Sequence, residues 1–168
     1  MLKKRFAAVG VAFLLAFLLC GCFLQKENEK TVSLYDLKNA MAAATQKFSE
    51  MTYAGSEDAD AANIFTNISD MDYSKVHSYC IYYATNGTGN ADEIAVIQVK
   101  YADDLTEARK SLEAHLKRRK SLYSTYDKSQ LKKLESARVV TNSGCAALIV
   151  ADDADAISDA FHNFFDGE

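Results

Sequence analysis

The feature that most restricts the fold is a pattern that occurs twice in the second half of the chain. Residues 75–85 and 93–101 are rich in Val, Ile and Tyr, and turn-forming residues separate them. Residues 137–141 and 145–151 repeat this arrangement across Asn-Ser-Gly. Each pair ends in Ala-Asp-Asp, and apolar residues at helical spacing follow. The sequence therefore predicts two β-hairpins, each followed by a helix.

The first half of the domain adds one more helix. Residues 33–48 carry apolar side chains at helical spacing, and Ser33-x-x-Asp36 forms a capping box. Residues 49–72 are acidic and polar, which predicts a loop with a short helical turn. We therefore expect an α+β fold, with a four-stranded antiparallel sheet, helices packed on one face, and an N-terminal amphipathic helix.

The repeated Ala-Asp-Asp has two explanations. It could mark a duplicated β-β-α unit. Alternatively, acidic residues are favoured at any strand-to-helix junction, because they cap the helix and complement its dipole. We favour the second explanation.

The N-terminus has the parts of an export signal. Basic residues 3–5 precede an apolar run at 6–19, and a charged stretch follows at 26–30. The apolar run of 14 residues is shorter than the roughly 20 that span a hydrocarbon core. It is therefore predicted to be a cleaved signal rather than a permanent transmembrane helix.

The end of this run resembles the lipobox of a bacterial lipoprotein. Leu19 stands at −3, Gly21 at −1 and Cys22 at +1, whereas Cys20 would have bulky Leu19 at its −1 position. We expect a diacylglycerol on Cys22, and two acyl chains suffice for stable membrane anchoring. The alternative is an ordinary secreted protein in which Cys22 is incidental.

These features predict three parts of the chain. Residues 1–21 are the lipoprotein signal peptide, 22–32 the lipid-anchored cysteine with a charged tether, and 33–168 a single domain. The predicted location is the extracytoplasmic face of the cell membrane. Without the signal the chain has 147 residues, which is enough for one domain with a real core.

Charge is distributed unevenly in this predicted mature chain. It has 16 basic and 23 acidic residues, a net charge of −7, yet residues 109–138 alone carry +7. The run Lys117-Arg118-Arg119-Lys120 is the strongest part of this segment. It predicts contact with an anionic surface, such as phospholipid headgroups or an anionic envelope polymer. The alternative is a solvated helix end whose cations complement the dipole. Export from the cell and the net negative charge of the mature chain argue against nucleic acid as a partner.

The sequence lacks the motifs of known catalytic and metal centres. His77, His115 and His162 belong to no His-Glu-x-x-His motif, and there is no phosphate loop, dinucleotide fingerprint or nucleophile elbow. The acidic clusters at 57–60 and 152–155 lack the glycine and distal Glu of an EF-hand. We therefore predict no catalytic residue, metal or cofactor, and expect His115 to be a partly buried, hydrogen-bonded side chain.

Two cysteines lie within the predicted domain. Cys80 and Cys145 each fall in a predicted strand. An extracytoplasmic location permits a disulfide between them. Free cysteine also behaves as a small buried hydrophobe, and we favour that interpretation because a disulfide needs closely placed partners.

Several segments together carry a family resemblance. They are Ala91-Asp92-Glu93-Ile94-Ala95 before a strand to Val99, the basic helix ending at Tyr123-x-x-Tyr126, Leu134-x-x-Ala137-x-Val139, and Gly144 before Ala147–Val150. Over about residues 33–165 the chain resembles small lipoproteins of low-GC Gram-positive bacteria that share a domain of unknown function. The resemblance implies a lipobox followed by an α+β domain, and it implies no activity.

The first functional hypothesis is a non-enzymatic binding module of the cell envelope, which presents its sheet or basic helix to an envelope protein or anionic polymer. The alternatives are an envelope enzyme or accessory subunit that uses Asp92 and Glu93, and a small solute receptor. A deep pocket gathering Asp92, Glu93 and a histidine would favour the enzyme. A flat or grooved basic face would favour the binding module.

Overall fold

The computed structural model describes residues 31–48, 50–85 and 89–167. Within them, five strands form one antiparallel sheet in the order β1-β2-β3-β5-β4. The strands are β1 (Met51–Gly55), β2 (Val76–Ala84), β3 (Glu93–Val99), β4 (Arg138–Asn142) and β5 (Cys145–Val150). The helices are α1 (Leu34–Ala43), α2 (Ala61–Phe65), α3 (Leu105–Tyr126), α4 (Leu131–Glu135) and α5 (Ala154–Asp166). The α+β class is therefore confirmed.

Both predicted hairpins are present, and they meet at the centre of the sheet. β2 pairs with β3, β4 pairs with β5, and the two inner strands β3 and β5 pair with each other. The β4–β5 turn places Ser143 at φ 46° and Gly144 at φ 76°. Two consecutive positive φ angles match the twist of a two-residue hairpin. The middle of the other hairpin turn, residues 86–88, lies outside the described residues, as do the predicted signal peptide and Cys22.

The prediction of four strands is wrong, because part of the expected loop at 49–72 forms β1. This strand runs antiparallel to β2, with Met51 opposite Ala84 and Gly55 opposite Cys80. Five residues carry too little alternation to indicate a strand, and β1 is stabilised by hydrogen bonds to a distant segment. The short helical turn expected in the same segment is confirmed as α2, whose Phe65 is buried.

The expectation that helices pack on one face of the sheet is also wrong. One face packs against α3, through residues such as Ile97, Leu112 and Leu148. The other face packs against α1 and α5, through residues such as Val96 and Phe161. Every residue of β3 and β5 is buried as a result. Strands covered on both faces are nearly continuous in apolar residues, and β5, Cys-Ala-Ala-Leu-Ile-Val, has this character.

The two hairpin–helix units are not related by two-fold symmetry in the sheet. Symmetric copies would be related by a two-fold axis perpendicular to the sheet, between β3 and β5. This axis would superpose the two antiparallel hairpins, and it would place both following helices on the same face of the sheet. The helices α3 and α5 instead pack on opposite faces. This arrangement gives no support to a duplicated unit.

Of the predicted helix caps, only the one at the start of α1 is confirmed. The Ser33 hydroxyl accepts a hydrogen bond from the Asp36 N–H at 3.3 Å, so the cap of α1 is confirmed. The Asp104 side chain does not cap α3 and lies 3.3 Å from Lys75 Nζ. Asp153 likewise leaves α5 without a side-chain cap and binds Thr45 and Lys47 at the end of α1. Both carboxylates therefore connect separate elements instead of closing a helix end.

Two leucines of α3 test the importance of the sheet-facing side of that helix. Leu112 is fully buried, whereas Leu122 is 53% exposed. We expect Leu112→Ala to lower the free energy of unfolding by about 2–5 kcal/mol. The same change at Leu122 should alter it by about 0.5 kcal/mol or less. Urea denaturation followed by circular dichroism measures both, and equal losses would contradict the packing described here.

Candidate functional site

The candidate site lies where β3 begins. Asp92 and Glu93 are both buried, at 3% and 5% exposure, although acidic residues are rarely buried without a partner. Because successive side chains of a strand point to opposite sides, the two carboxylates face different surroundings. Glu93 lies on the side of the sheet covered by α3. Each carboxylate has its own positively charged partner, and Glu93 also lines a cavity.

Glu93 is held by two side chains of α3. Its Oε1 lies 2.9 Å from His115 Nε2, and its Oε2 lies 2.6 Å from Arg119 Nη1. His115 and Arg119 are four residues apart, so they lie one above the other on the same face of the helix. Arg119 also donates from Nη2 to the Ala91 carbonyl at 3.1 Å and lies over the Tyr123 ring. Both carboxylate oxygens are therefore engaged.

This surrounding keeps Glu93 ionised. Burial by itself raises the pKa of the Glu93 carboxyl, because it disfavours the charged form. The hydrogen bond from His115 and the positive charge of Arg119 outweigh that effect, and the pKa of Glu93 lies below its usual value. This direction of the pKa shift favours the ionised form of Glu93 at neutral pH.

A cavity of about 310 Å³ opens beside this ion pair. Ile68, Ile81, Glu93 and His115 are its buried lining residues, Ile64 and Tyr83 are half-buried, and Asn67 is exposed. The gradient of exposure indicates a passage from the surface near α2 to the ion pair. The cavity combines apolar walls with a few polar groups, which is typical of a small-molecule site.

Asp92 belongs to a separate cluster. Its Oδ1 lies 2.6 Å from Lys133 Nζ, and its Oδ2 accepts from the Asn90 amide at 2.7 Å. Lys133 also donates to Asn90 Oδ1 at 2.9 Å. Lys133 belongs to α4, and Asp92 does not line the cavity. This cluster therefore fastens α4 to the start of β3. Of the three groups whose gathering in one pocket would favour an enzyme, Glu93 and His115 line the cavity and Asp92 does not.

The basic run is divided by the helix that carries it. Consecutive residues of an α-helix are about 100° apart, so four in a row cannot share one face. Arg119 points inward to Glu93, and Arg118 lies 3.1 Å from exposed Asp70. Lys117 and Lys120 have no ion-pair partner in the part of the chain that the structure describes. Lys117 is therefore exposed and Lys120 half-buried at the surface, and exposed Arg118 is shared with Asp70.

Cys80 and Cys145 lie on β2 and β5, the two strands that flank β3. Both are free and fully buried, on the sheet face away from the cavity. Burial raises the pKa of each thiol to about 12. Because the thiolate is the reactive form, neither cysteine is a candidate nucleophile.

The remaining predicted candidates do not form a site. His77 is exposed, and the ring of half-buried His162 stands edge-on to Phe161. Asp58 binds the Gly55 N–H within its own loop, and Asp155 pairs with Arg138. The described residues contain no group of three or more side chains suited to a metal ion. Within the same residues, no helix has the length and apolar character needed to cross a membrane.

Sequence analysis missed a buried cation in another part of the fold. Lys38 of α1 is 7% exposed, and its ammonium lies over the rings of Tyr35, Tyr53 and Tyr82 at 4.8, 5.5 and 4.7 Å. It also donates to the Asn39 side chain. Cation–π contacts stabilise a desolvated ammonium. The tyrosines come from three elements, so no sequence spacing could have indicated this cluster.

Glu93→Gln tests the ion pair. The variant leaves the largely buried Arg119 without its counter-ion, so we expect the free energy of unfolding at neutral pH to fall by about 3–5 kcal/mol. Glu113→Gln is the matched control, because Glu113 forms a largely exposed pair with Arg109 and should change stability by about 0.5 kcal/mol or less. Urea denaturation gives both values.

The same variant has a defined pH dependence. A lowered pKa in the folded state stabilises the protein above the unfolded pKa of about 4.3, and this contribution disappears as pH falls through the folded pKa. The stability difference between the protein and Glu93→Gln should therefore shrink below about pH 5. A difference that stays constant from neutral to acidic pH would contradict the assigned role of Glu93.

Comparison with known proteins places this site within a family. No curated protein and no solved structure matches the chain. The family described as "Domain of unknown function (DUF4358)" matches residues 49–151, which include all five strands, α3, and every residue that lines the cavity. The resemblance to a domain of unknown function is thus confirmed over that range, while membership of Gram-positive lipoproteins stays a prediction. The chain belongs to the DUF4358 family.

Proposed function

We propose that this protein is a lipid-anchored binding module on the extracytoplasmic face of the cell membrane and is not itself an enzyme. Its anchor is a diacylglyceryl group on Cys22, the residue that follows the small Gly21 in the lipobox-like sequence. Val32 is already buried in the core. The nine residue steps from Cys22 to Thr31 span at most about 30 Å, so the domain works close to the membrane surface.

The observation that carries the non-enzymatic proposal is the state of Glu93. A general acid or base works best when its pKa lies near the operating pH. Glu93 has a lowered pKa and both oxygens engaged by His115 and Arg119. Asp92, the other carboxylate on which an enzyme could depend, is paired with Lys133. These groups support binding and structural roles rather than proton transfer.

An anionic surface is the partner that the charges favour. The basic segment 109–138 supplies Lys117, Arg118 and Lys120 to the surface of α3, and the anchor holds the domain beside the membrane. Each basic residue near an anionic bilayer contributes about 1 kcal/mol. Phospholipid headgroups and anionic envelope polymers share this chemistry.

The enzyme alternative retains one supporting observation. His115 is oriented by a carboxylate and lines an open cavity, which is an arrangement that general bases also use. No serine, threonine or cysteine lines that cavity. A solute receptor is a further alternative, with the same cavity as its ligand site, although a domain of this size has no second lobe to close on a ligand.

Two cysteine variants test the anchor. Cys22→Ala should abolish labelling by a fatty-acid analogue and move the protein from the membrane fraction to the soluble fraction, because the acylated thiol is gone. Cys20→Ala is the matched control and should leave labelling and fractionation unchanged. Labelling that persists in Cys22→Ala, or is lost in Cys20→Ala, would place the attachment elsewhere and overturn this part of the proposal.

Charge reversal tests the proposed partner surface. In the Cys22→Ala background, where no acyl chain dominates, Lys117→Glu with Lys120→Glu should reduce sedimentation with phosphatidylglycerol vesicles by at least about tenfold. The matched control reverses Lys100 and Lys132, two exposed lysines outside the basic run. An equal effect of both pairs would mean that net charge alone drives the association. Binding that is unaffected by Lys117→Glu with Lys120→Glu would reject this surface.

A further inference from the structure

Two large apolar side chains lie exposed at the C-terminal end of α3. Leu122 is 53% exposed and Tyr126 is 80% exposed. Among the described residues, Tyr35 is the one other large apolar side chain that is exposed. Leu122 and Tyr126 are four residues apart, so they are neighbours on the surface of the helix. Together they form an exposed apolar patch at the end of α3.

The apolar patch belongs to a helix end that is fastened to the sheet. Gly89, Tyr123 and Asp127 line an open hollow of about 430 Å³ together with the two residues of the patch. The Tyr123 hydroxyl donates to the Asn90 carbonyl at 3.1 Å, in the segment that leads into β3. The patch is therefore presented outward from a fixed position.

The charges beside the apolar patch are positive. Residues 114–126 of α3 contain four basic residues and no acidic one. Arg118 precedes Leu122 by four residues and lies on the same side of the helix. Lys128, just beyond the helix, is exposed and has no ion-pair partner among the described residues. Apolar side chains bordered by cations are typical of a contact with a membrane interface, where hydrocarbon lies below anionic headgroups.

The predicted tether is long enough to bring this helix end to the membrane. α1 begins beside the middle of β2, where the Cys80 thiol donates to the Leu34 carbonyl. β2 ends at Ala84, about 13 Å further along the strand, at the end of the sheet where α3 also ends. The tether from Cys22 to Thr31 reaches up to about 30 Å, which exceeds this distance.

We infer that the end of α3 inserts Leu122 and Tyr126 into the interface of an anionic phospholipid bilayer, while Arg118 and Lys128 contact its headgroups. The inference rests on the proposed function and specifies which of the two anionic partners the domain contacts. A hydrated polymer offers charges but no apolar region, whereas a bilayer offers both. Tyrosine is also one of the residues enriched at membrane interfaces.

Leu122→Gln with Tyr126→Gln removes the apolar patch and keeps every charge. The test uses residues 22–168 with Cys22→Ala, which contain every described residue but neither an acyl group nor the apolar run 6–19. We expect sedimentation with phosphatidylglycerol vesicles to weaken at least about tenfold, because the two side chains no longer leave water. Binding to soluble polyphosphate, which has no apolar part, should be unchanged.

The matched control is Ser121→Gln with Ser124→Gln. Both serines are exposed and belong to the same end of α3. The change adds two glutamines without removing an apolar side chain, so vesicle binding should be retained. Circular dichroism checks that each variant is folded.

A tryptophan in the apolar patch reports insertion directly, because the chain has no other tryptophan. In Leu122→Trp we expect the emission to shift to shorter wavelength on the same vesicles and to be quenched by lipids with brominated acyl chains. Ser124→Trp lies about 160° around the helix from position 122, so its tryptophan should stay in water and escape this quenching.

The inference is overturned if the unaltered chain does not sediment with the vesicles, or if both glutamine pairs have the same effect on sedimentation. It is also overturned if brominated lipids quench Leu122→Trp no more than Ser124→Trp. Loss of polyphosphate binding along with vesicle binding in Leu122→Gln with Tyr126→Gln would assign the patch to a polymer instead. Vesicle binding that depends on Lys117 and Lys120 but not on the patch would reject the inference and leave the proposed function standing.

Discussion

The burial of the Glu93 carboxylate is the constraint on which much of this structure depends. A charge removed from water must be matched by an opposite charge and by hydrogen bonds, or folding is opposed by several kcal/mol. Its two partners stand 22 and 26 residues later in the chain. α3 must therefore run back along the sheet until His115 and Arg119 reach the start of β3. The position of α3 follows from this requirement together with its apolar contacts.

The need to pair the buried Glu93 also explains why polar side chains lie at the inner end of the cavity. Glu93, His115 and Arg119 cannot pack as closely as aliphatic side chains, because their geometry is set by directed hydrogen bonds. Next to them, α2 is only five residues long, and Asn67 just beyond it is exposed. The cavity forms between the regular ladder of the sheet and this short connecting segment. The cavity thus lies where the tightly packed core ends and a loop begins, as functional sites often do.

Part of this site was accessible from sequence. Asp92 and Glu93 were recognised as the carboxylates at the start of a strand, and His115 was expected to be partly buried and hydrogen-bonded, which is confirmed. The basic run was recognised, but the inward direction of Arg119 was not. Helical geometry alone excludes four cations on one face, yet only the position of Glu93 selects which cation turns inward. Ile64 and Asn67 carried no signal, because nothing in their local sequence relates them to His115.

The sequence by itself determined the elements whose causes are local. The hairpins, the cap at Ser33 and the apolar stripe of α3 follow from turn residues and periodicity, which act over a few positions. Only the tertiary structure decided β1, the coverage of both sheet faces, the tyrosine surroundings of Lys38 and the pairing of Glu93 with His115 and Arg119. Each of these features depends on segments that are distant in the chain and meet only after the sheet forms. The pairings also depend on burial, because a charge needs a partner once it is removed from water.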